Sequence, residues 1–295
     1  MAALSGFFVD RDRKLRPIWR AILYAVFAGF IINQLLGYLI IELLLGSKFA
    51  LAPGPIALGE SINFLAALAC TAAFALYEQR TADSYGLRID RALSGPTWDG
   101  FAVGVVMAAG VGLGMAALGG MRVVGLAMTG SLLVTSAIAW LGACVAVGVS
   151  EEFLFRSYFL QTLWKSLGFW PASIVIALVF AADHYFEKPG ENLWDVITLV
   201  SLSLMMCYSV LRTGTLWFAV GFHVSFDFMQ LFVIGTPNGD HIPADRLLNA
   251  TFDGPAWLTG GVLGTEASLL MYPLIALAWA YIWWRYRKNP PYQPR

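Results

Sequence analysis

The sequence predicts an all-α fold, a polytopic membrane helical bundle of about eight transmembrane helices. Of its 295 residues, 58% are hydrophobic and only 13% are charged, whereas soluble domains carry about 25% charged residues. The mean hydropathy is +0.67. Eight apolar runs also approach the roughly 20 residues that a helix needs to cross a bilayer. The formal net charge of zero gives no indication of a nucleic-acid partner.

The first of these helices is predicted over 18–45. It follows a polar and basic N-terminus, and the run is too long to be the apolar part of a cleavable signal peptide. The other seven helices are predicted over 56–78, 100–119, 131–160, 170–186, 194–211, 215–235 and 266–285.

Proline, glycine and charged residues separate the runs, as expected where helices end. The most polar internal stretch, 79–99, follows the second run, and a long polar loop over 236–265 precedes the last. The other breaks contain Pro53-Gly54-Pro55, Gly168 with Pro171, Pro189-Gly190, and Gly214. We therefore predict a single membrane domain. It consists of a two-helix segment with a cytoplasmic loop over 1–99 and a six-helix segment over 100–295.

The distribution of positive charge predicts the orientation. With eight spans and a cytoplasmic N-terminus, fourteen of the nineteen Lys and Arg residues fall on the cytoplasmic side. The four on the opposite side are Lys48, Arg122, Lys188 and Arg246, and Arg156 lies within a run. Since Lys and Arg accumulate in cytoplasmic loops, both termini are expected to be cytoplasmic.

Ionisable residues inside the apolar runs are the candidates for function, because a charged side chain at mid-bilayer costs about 2.5–3.5 kcal/mol. They occur in three runs near the middle of the chain: Glu151, Glu152 and Arg156; Asp183 and His184; His223 and Asp227. A single histidine or a single Glu–Arg pair in a helix is often only structural. So many groups on three helices indicate a functional site instead.

Helical spacing predicts how these residues pair. Glu152 and Arg156 are four residues apart and share a face, so Arg156 is expected to neutralise Glu152 and leave Glu151 for another task. His223 and Asp227 share a face in the same way. A carboxylate near a histidine can deprotonate water, and two histidines with carboxylates could instead hold a divalent metal such as zinc. A proton relay of a transporter also uses such groups.

If their helices are straight, Glu151 and His184 are expected at different depths in the membrane. At about 1.5 Å per residue, Glu151 would lie near the cytoplasmic end of its span and His184 near the outer end of the next. We therefore predict a break or kink near Val147–Ser150 that brings them together.

Three short motifs resemble those of the CAAX prenyl protease and bacteriocin-processing family of intramembrane proteases, also called the CPBP or Abi family. The first is Glu151-Glu152-Phe153-Leu154-Phe155-Arg156, the second Phe180-Ala181-Ala182-Asp183-His184, and the third His223-Val224-Ser225-Phe226-Asp227. Segments 84–88 and 211–217 also resemble parts of the family. The resemblance covers about 130–235 well.

The resemblance implies a role for each matched residue. Glu151 corresponds to the general base that activates water, and His184 to its partner in holding that water. His223 and Asp227 correspond to the pair that stabilises the oxyanion. The supporting ion pair is Glu152 with Arg156, and Phe180 is expected to position the helix of His184. If a metal is used, its ligands would be Glu151, His184, His223 and Asp227.

The expected function is thus an endopeptidase in a prokaryotic cell membrane, acting on a peptide or membrane-protein substrate within the lipid bilayer. A non-catalytic scaffold or bacteriocin-immunity protein is one alternative, and a proton-coupled transporter is another. The sequence indicates no oligomeric state.

Overall fold

The chain folds into a bundle of apolar helices. The computed structural model describes residues 7–10, 13–29, 43, 51–188, 190 and 192–294. The α-helices are α1 (Pro17–Tyr24), α2 (Pro53–Glu78), α3 (Gly95–Ala117), α4 (Ser131–Leu154), α5 (Leu160–Leu167), α6 (Phe169–Glu187), α7 (Leu193–Thr213), α8 (Trp217–Asp227), α9 (Ala256–Thr259) and α10 (Met271–Tyr286). Short 3-10 helices cover Ala82–Tyr85, Ile89–Arg91 and Gly261–Ala267, and π-helical turns cover Phe155–Phe159 and Phe228–Ile234.

Among the described residues, seven helices are long and apolar enough to cross a membrane, which makes the chain an integral membrane protein. They are Pro53–Glu78, Gly95–Ala117, Ser131–Leu167, Phe169–Phe186, Leu193–Thr213, Trp217–Ile234 and Gly261–Tyr286. Each corresponds to one of the predicted runs. The first predicted run, 18–45, begins as a shorter apolar helix over Pro17–Gly29, and most of its remainder lies outside the described residues. The predicted helical bundle is confirmed.

A small antiparallel sheet, which the helical prediction did not include, joins two of the loops. Strand β1 (Met121–Leu126) pairs with β2 (Leu248–Phe252), with Met121 opposite Phe252 and Leu126 opposite Leu248. The loops that carry the strands were predicted to lie on the same side of the membrane, and the pairing requires this. The strands were missed because each is short and lies in a stretch that hydropathy marks only as a loop.

Glycines allow α3 and α8 to pack at very short range. A Cβ atom at Gly100 would lie 2.0 Å from the backbone oxygen of Phe218, and one at Gly104 would lie 2.1 Å from Oγ of Ser225. From the other helix, a Cβ atom at Gly221 would lie 2.1 Å from the backbone oxygen of Thr97. Small residues spaced by four are a common means of close helix contact in membranes. They hold α8, the helix of His223, against the bundle.

The predicted break near Val147–Ser150 is wrong. Helix α4 is continuous from Ser131 to Leu154, and the irregularity comes later, where Ser157 has non-helical dihedral angles of −85° and −106° within a π turn. Gly148 is a packing residue and not a hinge. A Cβ atom there would lie 2.9 Å from the Val224 side chain, so the absence of a side chain leaves room for α8 to pack against α4.

An ion cluster around Glu78 fixes the N-terminal helices beside this π turn. The Glu78 carboxylate lies 2.7 Å from Nη1 of Arg20 in α1 and accepts a 2.7 Å hydrogen bond from the hydroxyl of Tyr158. Tyr158 is fully buried and stacks on Phe74 of α2, with ring centroids 4.9 Å apart. The bend that follows the first motif is therefore braced by both α1 and α2.

Candidate active site

Glu152 is the centre of a buried polar network. Its Oε1 atom accepts a hydrogen bond from Nη1 of Arg156 at 3.2 Å, and both side chains are fully buried. Nη2 of Arg156 donates to Oγ of Ser203 in α7 at 2.7 Å. The predicted pair of Glu152 with Arg156 is thus present. The hydroxyl of Ser203, which the sequence analysis did not single out, completes the surroundings of the cation.

His223 lies close to three of the four carboxylates that the motifs supply. Its Nδ1 atom is 3.0 Å from Oε1 of Glu152, a hydrogen-bond distance. Its Nε2 atom is 3.7 Å from Oε2 of Glu151 and 3.6 Å from Oδ2 of Asp227. These two separations exceed a direct hydrogen bond, and they place Nε2 within ion-pair distance of two carboxylates.

Glu151 and Glu152 differ in access and in bonding. The Glu152 side chain has no exposed surface, whereas 19% of the Glu151 side chain is exposed. Oε2 of Glu151 is buried and has no hydrogen-bond partner among the described residues. A buried carboxylate oxygen without a partner is costly in a structural role. Oε2 of Glu152 is likewise buried without a partner in the described part of the chain, but Oε1 of Glu152 is bonded to Arg156 and His223, so Glu151 is the more exposed and less constrained of the two carboxylates.

His184 is held in one tautomer by its own helix. Its Nδ1 atom lies 3.0 Å from the backbone oxygen of Phe180. Because a carbonyl oxygen only accepts hydrogen bonds, Nδ1 carries the proton, and in the neutral ring Nε2 is then an acceptor. The ring also packs on Phe180, with centroids 4.4 Å apart. No hydrogen bond or ion pair joins His184 to Glu151 in the described part of the chain, although the charge of His223 acts on His184.

Phe180 connects the first two motifs. Besides its contact with His184, its ring lies 4.6 Å from Cζ of Arg156, at cation–π distance. The ring of Phe155 also packs edge-on against it at 5.2 Å. The side chain therefore touches the supporting ion pair on one helix and the imidazole on another.

A second ion pair lies next to the site and was not predicted. Nζ of Lys188, just after α6, is 2.8 Å from Oε2 of Glu266, and Nε2 of Gln230 donates to Oε1 of Glu266 at 3.4 Å. Gln230 also bonds the Thr265 hydroxyl. The charge of Glu266 acts on both His184 and Asp227. The sequence does give one sign of this pair, because Glu266 is an acidic residue at the very start of an apolar run.

The metal named as an alternative has no ready set of ligands here. Within the described ranges, no group of three or more His, Cys, Asp or Glu side chains is arranged to hold a metal ion. Nδ1 of His223 is bonded to Glu152 and Nδ1 of His184 to a carbonyl, which leaves Nε2 as the remaining nitrogen of each ring. The use of a metal stays a prediction, and the chemistry below is derived from the side chains.

Comparison with known protein families gives a match over the middle of the chain. Residues 132–229 match the family model described as type II CAAX prenyl endopeptidase Rce1-like. All three motifs, from Glu151 to Asp227, fall within the matched segment. No curated protein and no solved structure matches the chain. The segment 132–229, which forms the centre of this membrane bundle, is therefore similar to the Rce1-like family of type II CAAX prenyl endopeptidases.

Proposed function

We propose that this chain is an intramembrane endopeptidase in which Glu151 activates the water that cleaves a peptide bond. The observation that carries the proposal is the buried Oε2 atom of Glu151. It has no hydrogen-bond partner among the described residues and lies 3.7 Å from Nε2 of His223. Oε2 of Glu152 also lacks a hydrogen-bond partner among the described residues, but the Glu152 side chain is fully buried and its Oε1 atom accepts from both Arg156 and His223, so Glu151 is the carboxylate that water can reach.

In the proposed reaction, Glu151 removes a proton from a water molecule while the water oxygen bonds to the carbonyl carbon of the substrate. The carbonyl oxygen becomes an oxyanion. The C–N bond then breaks, and the proton held by Glu151 passes to the departing nitrogen. A positioned base of this kind typically contributes a factor of about 10²–10⁴ to the rate.

His184 is proposed to hold the same water. With Nδ1 donating to the Phe180 carbonyl, Nε2 presents a lone pair that accepts a hydrogen bond from water. A fixed tautomer and orientation reduce the reorganisation that the reaction requires. The packing of the ring on Phe180 supports this role.

His223 is proposed to stabilise the oxyanion, with Asp227 in an indirect role. As an imidazolium, His223 donates from Nδ1 to Glu152 and directs its Nε2 proton toward the oxyanion. An ionised Asp227 cannot donate a hydrogen bond, but at 3.6 Å from Nε2 it orients the ring and stabilises its charge. A cation is needed at this point because Glu151 and Asp227 would otherwise repel the oxyanion.

The family's description names CAAX prenyl peptides as substrates, and we propose a peptide or membrane-protein segment that reaches the site from the bilayer. The test is cleavage of a fluorogenic farnesylated CAAX peptide by the purified protein in liposomes. Glu151→Gln is expected to lower kcat by at least about 10²-fold. Asp253→Asn, an exposed acid in the loop after β2, is the matched control. Full activity of Glu151→Gln would overturn the proposal.

The same assay tests the metal alternative. The protein is treated with a chelator, dialysed and assayed before and after zinc is added back. Unchanged cleavage after treatment supports water activation by side chains alone. Loss of cleavage that zinc restores would assign a metal ion to the site.

A further inference from the structure

The two weaker sequence segments, 84–88 and 211–217, are not part of the catalytic cluster, yet they meet in the structure. They line a cavity of about 1060 Å³ together with the C-terminal tail. The cavity lies at the side of the bundle that the charge distribution predicts to be cytoplasmic. Its lining residues include Arg88, Arg91 and Arg212 as the cations, with Asp90 as the acid.

We propose that this cavity binds a phosphate group, supplied by the headgroup of an anionic phospholipid or by a soluble phosphate. Three arginines and one acid are among the residues that line it, so the cavity carries an excess of positive charge. Arginine is the side chain best suited to phosphate, because its planar fork donates two parallel hydrogen bonds. Anionic lipids also concentrate basic groups at the cytoplasmic surface.

Arg212 supplies the fixed part of the site. Its Nη2 atom donates to the backbone oxygen of Tyr286 at 2.5 Å, and its own backbone oxygen accepts from Asn289 at 3.2 Å. These contacts hold the side chain between α7 and the end of α10. Its Nε–H is buried and has no hydrogen-bond partner in the described part of the chain. Arg212 therefore places a fixed positive charge in the wall of the cavity.

Arg88 and Arg91 are the cations of the proposed site whose side chains are free to change position. The side chain of Arg88 is 42% exposed and pairs with the still more exposed Asp90 at 2.9 Å, an arrangement that holds the cation weakly. Arg91 is exposed and ends the short helix Ile89–Arg91. Both side chains can turn toward a ligand without loss of a buried contact.

The wall of the cavity is joined directly to the helix that carries His223. The backbone oxygen of Gly86 accepts from the Leu216 amide at 3.3 Å, and that of Arg88 accepts from Nε1 of Trp217 at 2.6 Å. The tail closes the other side, where the Tyr292 amide donates to the Leu211 oxygen at 2.8 Å. A ligand here would therefore sit between the start of α8 and the C-terminal tail.

The experiment measures binding to the purified full-length chain in a neutral detergent by isothermal calorimetry. The probes are dioctanoyl phosphatidylglycerol, dioctanoyl glycerol, which lacks the phosphate, and inorganic phosphate. The double variant Arg88→Gln/Arg91→Gln is expected to weaken phosphatidylglycerol binding by about tenfold or more. Arg287→Gln is the matched control, since Arg287 is an exposed cation on the same side that does not line the cavity.

The probes also separate the two sources of phosphate. Binding of phosphatidylglycerol without binding of inorganic phosphate assigns a lipid headgroup, and binding of both with the same dependence on Arg88 and Arg91 assigns phosphate itself. The proposal is overturned if dioctanoyl glycerol binds as tightly as the phospholipid. It is also overturned if Arg287→Gln weakens binding as much as the double variant, because the effect would then be general surface charge.

Discussion

Oε1 of Glu152 accepts hydrogen bonds from Arg156 on its own helix and from Nδ1 of His223 on another, the latter at 3.0 Å. One buried oxygen therefore links the first motif to the third. Removing the negative charge of Glu152 affects two groups at once: Arg156 loses its counter-charge, and the imidazole of His223 loses the carboxylate to which it is bonded.

Glu152→Gln is expected to lower the stability of the folded protein as well as its activity. It leaves the guanidinium of Arg156 fully buried without a counter-charge in the described part of the chain, beside the Ser203 hydroxyl and the rings of Phe155 and Phe180. Breaking a buried ion pair in this way costs about 3–5 kcal/mol. The free energy of unfolding in detergent, measured beside peptide cleavage, gives both effects.

A second variant distinguishes the lost ion pair from a general defect. Glu152→Gln/Arg156→Gln removes both charges and should recover most of the lost stability, while cleavage stays low because His223 still lacks its carboxylate. Glu151→Gln should change the unfolding free energy by less than about 1 kcal/mol. A double variant no more stable than Glu152→Gln would show that the two charges do not act as a pair.

The two amide replacements of His184 should differ in activity. The side-chain amide of glutamine reaches the position of Nε2, whereas that of asparagine reaches the position of Nδ1, where it can still donate to the Phe180 carbonyl. If Nε2 holds the reacting water, His184→Gln retains more kcat than His184→Asn, by about tenfold or more. Equal losses in the two variants, with the fold intact, would place the role of His184 at Nδ1.

Residue types and helical spacing were enough to predict the helices and the pairing of Glu152 with Arg156. The motifs lie in apolar runs, where each ionisable group stands out, and residues four apart on one helix meet without knowledge of the rest of the fold. The continuous course of α4 could not be predicted, because a glycine at position 148 is equally compatible with a hinge and with close helix packing. Only the approach of Val224 shows that it packs.

Contacts between helices could not be predicted from the sequence. The bond from His223 to Glu152 depends on how closely α8 fits against α3 and α4, which is decided by glycines that hydropathy counts only as apolar. Lys188 and Glu266 are 78 residues apart. Their pairing depends on the fold of the segment before α10, where no periodic pattern exists to place a side chain.

Gly104→Ala should destabilise the protein, although alanine is the better helix former. The new Cβ atom would lie 2.1 Å from Oγ of Ser225 and 2.5 Å from the backbone oxygen of Phe222. Because α3 and α8 must separate, the helix of His223 shifts. Overpacking of this kind costs about 1–3 kcal/mol. The midpoint of thermal unfolding and kcat should both fall.

Gly142→Ala is the control for this substitution. Gly142 lies in α4 with no atom within 4 Å of the added Cβ. There the same change should be neutral or should stabilise the helix by up to about 1 kcal/mol. Equal losses from Gly104→Ala and Gly142→Ala would contradict the close packing of α3 on α8.

The orientation can be tested with single cysteines placed at opposite ends of the bundle. Cys70, Cys144 and Cys207 are first replaced by alanine, and a cysteine is then introduced as Lys288→Cys or Asp253→Cys, both at exposed positions. On intact cells, a membrane-impermeant maleimide should label position 253 alone, and position 288 should react only after permeabilisation. The reverse pattern would contradict the orientation derived from positive charge.

Lys188→Met should lower both stability and kcat. It leaves the carboxylate of Glu266, whose side chain is only 13% exposed, without its cation. Loss of one member of a buried pair costs about 3 kcal/mol or more. The uncompensated charge of Glu266 also acts on His184 and Asp227, so kcat should fall more than KM rises. Unfolding in detergent and steady-state cleavage measure the two effects.

The exchanged pair Lys188→Glu/Glu266→Lys should recover part of the stability, because opposite charges again meet at the same place.

The exposed pair of Arg88 with Asp90 is the control. Asp90→Asn should change the unfolding free energy by no more than about 1 kcal/mol, since exposed pairs contribute little. If Lys188→Met were as mild as Asp90→Asn in both measurements, the Lys188–Glu266 pair would have no part in supporting the site. If the exchanged pair regained stability but not kcat, the position of the negative charge relative to His184 and Asp227 would be what the reaction requires.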